Sequence, residues 1–129
     1  MNKILVEVSV GELLDKISIL EIKKIKINDP EKLKYINDEH VILKEQLDQN
    51  VKSSDKLKEL FQSLKEINAK LWVIEDDKRL CEKNSDFTKD FIKLSRDVHF
   101  LNDDRARIKL EINVCTGSKI KEIKEYTNY

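Results

Sequence analysis

The chain has 129 residues, enough for one domain, and its 25 Lys and Arg balance 25 Asp and Glu to a formal charge of zero. That balance argues against a general nucleic-acid binder, which carries a basic excess or stripe. Hydrophobic residues make up 40% and recur at regular spacing, which argues against charge-driven disorder.

Two Gly and one Pro leave few places where regular structure breaks. No segment approaches the roughly 20 apolar residues of a membrane span, and the apolar run of "MNKILVEVSV" is too short for a signal peptide, with Glu7 interrupting it. Cys81 and Cys115 form neither a CxxC pair nor a metal-ligand cluster. They read as reduced, half-buried residues of a cytoplasmic protein. No cofactor and no metal are expected.

In chain order, "KILVEVSV" alternates Ile4, Val6 and Val8 on one face, which predicts a short strand over 3–8. Its partner would be the tail, 118–129, as a second strand or extension, or another copy of the chain. "SVGE" reads as a capping box with Ser9 at the N-cap and Glu12 three residues on. A helix is predicted over 10–27, with Val10, Leu13, Ile17, Leu20 and Ile27 as its stripe. Asp29 then caps, and Pro30 occupies a first helical position. The helix over 31–49 has Leu33, Ile36, Leu43 and Leu47 in its seam, with His40 in the remaining slot.

After the break "NVKSSD", a helix over 55–83 carries Leu57, Leu60, Leu64, Ile67, Leu71, Ile74 and Cys81, with Lys78 in the gap. The turn "KNSD" leads to a helix over 87–116 carrying Phe87, Phe91, Leu94, Val98, Leu101, Ile108, Ile112 and Cys115. Gly117 suits its left-handed end. The register holds across one polar slot, Arg105, whose side chain is therefore aimed at the seam rather than at water.

The turn is so short that the last two helices must be antiparallel neighbours, about 40–45 Å long at 1.5 Å per residue. The first two helices form a shorter hairpin. The fold class is thus all-α, antiparallel coiled-coil-like hairpins of four helices with a short N-terminal strand. Part of the longer hairpin is left uncovered by the shorter one, which favours a homodimer that buries it.

The blocks "ELLDKISILEIK" (12–23), "LWVIEDDKR" (71–79), "NDDRARIKLEIN" (102–113), "GS" (117–118) and "KEY" (124–126) cover the chain from end to end. In them the sequence resembles a group of short, mainly bacterial proteins catalogued as a domain of unknown function. His99-Phe100 stands where an apolar-Tyr pair is expected. The resemblance implies an α-helical, coiled-coil-like protein and no reaction.

The candidate ligand-binding residues are Arg105, Asn102, Asn68, Trp72 and Glu75. Arg with amide side chains grips a carboxylate or phosphate through its two-pronged donor set. The same residues serve more simply as a buried polar layer that sets register, with Glu75 or an acidic group on a partner helix as the anion. "IEDD", 74–77, splays round a helix and does not converge on a metal. His40 reads as a satisfied seam residue. The expectation is a non-enzymatic protein-interaction or scaffold module that self-associates through its hairpins, engages an unidentified protein partner and has no membrane role. The competing expectation is an enzyme or binder of a small anionic compound in an interhelical pocket around Arg105.

Overall fold

A computed structural model describes residues 2–129. Four helices account for its regular structure: α1 (Val10–Lys26), α2 (Pro30–Asn50), α3 (Asp55–Lys83) and α4 (Lys89–Thr116). Each boundary has a local cause. The Ser9 side chain accepts from the Glu12 N–H at 3.0 Å and starts α1. Asp29 accepts from the Glu31 N–H, with Pro30 in the first turn of α2. Ser54 accepts from the Leu57 N–H at the start of α3.

Between α3 and α4 the chain reverses through Ser85, which has a φ of +53°, and Asp86. The Asp86 side chain accepts from the Thr88 N–H and hydroxyl. That local turn occupies Phe87 and Thr88, so α4 begins two residues later than the periodicity predicts. Gly117, at φ +65°, ends α4 in the left-handed conformation.

The predicted strand at 3–8 is not there, and neither is a strand in the tail: among the described residues there is no β-structure. The Ile4 and Val6 side chains are 90% and 75% exposed. Alternation assigns side chains to faces, but a strand exists only where a second edge completes the ladder. The tail is engaged with α4 instead, and among the described residues no other edge is present.

α3 and α4 pack as an antiparallel hairpin, and α1 contacts both of them as well as α2. α2 packs chiefly on α1, reaches the edge of the core through Leu47, and has no buried residue. The core lies where three helices meet: Leu14 of α1 packs with Leu57, Leu60 and Leu64 of α3 and Ile108 and Ile112 of α4. Leu64 and Ile112 are wholly buried. No residue from 72 to 107 is buried. The outer part of the α3–α4 hairpin, about 20 Å from Leu71 to Asn84 at 1.5 Å per residue, is therefore a two-helix arm without a covering layer. Cys81 and Cys115 are free thiols. Cys115 is exposed rather than half-buried: like its neighbour Val114, it lies off the face of α4 that buries Ile112 and Asn113.

Candidate functional site: a polar layer beneath α1

Asp15 follows the core residue Leu14, and its side chain is 2% exposed. A carboxylate this deep is retained only if its acceptor sites are filled. Arg105 donates to it from Nε at 3.0 Å and from a terminal guanidinium nitrogen, a two-point pair between α1 and α4. Asn68 of α3 donates from Nδ2 at 2.8 Å both to Asp15 and to the Ser18 hydroxyl. The Ser18 hydroxyl in turn donates to the Asp15 carbonyl. One carboxylate thus joins three helices.

One turn further along α4, Lys109 donates to Glu12 at 2.6 Å and to Glu122 of the tail at 3.0 Å, and lies 3.8 Å from Asp15. Next, Asn113 accepts from the Gly11 N–H at 2.7 Å through Oδ1, while its Nδ2 is buried without a partner. Glycine is required at position 11: a Cβ there would lie 2.6 Å from the Lys109 carbonyl oxygen. The N-terminal turn of α1 thus rests directly on the backbone of α4.

The charges stabilise one another. The hydrogen bond to Asp15 holds the Arg105 guanidinium further toward its charged form. Burial works against a charged Lys109, but hydrogen bonds to Glu12 and Glu122 outweigh it and raise its pKa. Lys124 and then Lys109 pull the Glu122 carboxyl down to about 2. On the other side of α1, Glu21 accepts from Lys65 at 3.0 Å and lies 3.3 Å from His40 of α2. Burial alone would raise the Glu21 pKa, yet these two partners lower it.

Of the residues picked out from the sequence, Asn68 and Arg105 come together, through Asp15. Glu75 is exposed and is not the anion that Arg105 finds. Trp72 and Asn102 are half-buried. Arg105 itself is less enclosed than its seam slot implies, with 30% of its side chain exposed; the fully buried member is Asp15. Sequence reasoning did not place Asp15, Ser18, Lys109 or Asn113 in this layer, because in a chain that is 39% charged a single polar residue beside an apolar stripe looks like its solvated edge. One signal was available. The family-like blocks 12–23, 102–113 and 117–118 contain Glu12, Asp15, Arg105, Lys109, Asn113 and Ser118, all of which the fold gathers at one junction.

Two clefts lie outside this layer. One, of about 350 Å³, is between α1, α2 and α3, with Leu14, Ile17, Leu47, Leu57 and Phe61 among its walls. The other, about 610 Å³ and widely open, runs along the arm between Ala69, Lys70, Val73 and Ile74 of α3 and Asp97, Phe100 and Leu101 of α4. Neither is lined by any of the five candidate residues. Among the described residues no three His, Cys, Asp or Glu side chains gather in metal-binding geometry, and no helix is long and apolar enough to cross a membrane.

Fold and layer together define an all-helical protein whose first helix is fastened to a long hairpin by a buried carboxylate. The chain belongs to the family of unknown function DUF6165, whose model matches residues 4–129. No curated protein and no solved structure matches it.

Proposed function

We propose that the chain is a non-enzymatic interaction module that self-associates through the uncovered arm of its α3–α4 hairpin. The observation that carries this reading is the arm itself: no residue from 72 to 107 is buried, and Val73, Leu80, Phe87 and Ile92 are 46–55% exposed. The total surface points the same way. The chain exposes 9587 Å² for 15.2 kDa, whereas a globular monomer of that mass exposes about 7,100 Å². The difference of about 2,500 Å² is shared between the arm and the extended segments 2–8 and 119–129, which are exposed throughout.

Charge selects a second copy as the occupant. The root of the arm, 75–77 and 97–104, carries six Asp or Glu and no Lys or Arg. Its tip, 78–96, carries six Lys or Arg against three Asp or Glu. Two arms packed antiparallel about a two-fold axis bring each basic tip onto the other's acidic root and make a four-helix layer of their apolar faces. Arg105 speaks against the ligand reading, because its fork is already engaged by Asp15.

Sedimentation equilibrium over a wide concentration range tests the proposal. A monomer–dimer equilibrium is expected, weakened by salt and by Val73→Glu or Arg79→Glu. A monomer at every concentration would overturn it.

A further inference from the structure

The segment after Gly117 runs back along α4 in register. Ser118 accepts from the Val10 N–H at 3.2 Å, and its own N–H donates to the Asn113 carbonyl at 2.9 Å. Glu122 meets Lys109 at 3.0 Å. The final residue, Tyr129, donates its hydroxyl to Asp103, and its ring stands edge-on at 5.1 Å from His99 and 5.3 Å from Phe100. Tail positions 118, 122 and 129 thus match α4 at 113, 109 and 99–103, in reversed order.

Phe100 belongs to two environments at once. It takes the Tyr129 ring, and it lines the apolar cleft of the arm with Val73, Ile74 and Leu101. The tail reaches the acidic root through a neutral donor, the Tyr129 hydroxyl on Asp103.

We infer that the tail is an intramolecular competitor for the surface around Phe100, so that a second copy packs there only by displacing Tyr129. This rests on the self-association proposed above. Docked, the tail covers one side of Phe100, which is still 40% exposed, and holds the equilibrium toward monomer. Released, it leaves the arm's root open to the basic tip of the partner copy. Because Ser118 and Glu122 fasten the tail at its near end, the competing end stays at high local concentration and acts without binding tightly.

The test compares the full chain with a chain ending at Lys124, which keeps the Ser118 and Glu122 contacts and loses Tyr129, and with full-length Tyr129→Ala. Dimer dissociation constants from sedimentation are expected to fall about three- to tenfold in both variants, the scale of one or two aromatic contacts. In the full chain, the Tyr129 and His99 ring resonances are expected to move apart in environment as concentration drives dimerisation. Dissociation constants that stay equal or rise would overturn the competition while leaving self-association standing. If no form of the chain associates, both the competition and the self-association fall.

Discussion

Asp15 and Arg105 stand 90 positions apart and meet in a two-point ion pair that fastens α1 to α4. The pair is lopsided: Asp15 is 2% exposed and the Arg105 side chain 30%. Cutting it from either end therefore has different consequences. Arg105→Leu strands a buried carboxylate and is expected to cost about 3–5 kcal/mol. Asp15→Asn costs less, because the freed guanidinium turns to water and Asn68 keeps an acceptor. Urea unfolding of both single variants and the double variant is expected to give that order and a coupling of about 1–3 kcal/mol. Equal costs with no coupling would mean that the pair does not hold the helices together.

Gly11 and Gly117 make opposite demands, and alanine separates them. At Gly11 the new Cβ would meet the Lys109 carbonyl at 2.6 Å, so α1 must move off α4; overpacking of this kind costs about 1–3 kcal/mol. At Gly117 nothing lies within 4 Å, and the only penalty is a φ of +65° for a residue with a side chain, about 1 kcal/mol. Thermal unfolding is expected to show the larger loss for Gly11→Ala. Its amide chemical-shift changes are expected to spread to Lys109 and Asn113, whereas those of Gly117→Ala remain local.

Glu122 makes the tail's attachment acid-sensitive. Its folded pKa, about 2, lies below its ordinary 4.5, so the contribution is fully present above pH 4.5 and is lost as pH falls through about 2. Glu21 shifts in the same sense. A carboxyl resonance followed by NMR is expected to titrate near pH 2 for Glu122. Lys124→Ala, which removes the largest cause, is expected to move that midpoint upward. A Glu122 that titrates at 4.5 in the intact chain would mean that Lys109 and Lys124 do not hold it.

The helices were legible because their causes are local. Ser9, Asp29 and Ser54 cap where they stand, Gly117 stops α4, and the short turn between two helices with seven-residue apolar spacing leads to an antiparallel hairpin. That reasoning also reached Arg105, since one cation in an apolar register is conspicuous. It went wrong at 3–8, where the pattern Ile4, Val6, Val8 describes a face but cannot supply the neighbouring edge that a strand needs.

By itself, then, the order of residues determined four helices, the caps that start α1, α2 and α3, and the reversal near residue 85, because each depends on side chains within a turn or two. Only the tertiary structure decided that Asp15 is the anion for Arg105, that α2 rests chiefly on α1, and that the tail lies along α4. Those choices depend on which surfaces meet across as many as 108 positions of chain. In a sequence with 25 charges of each sign, many such pairings are chemically equivalent until the backbone brings one of them within reach.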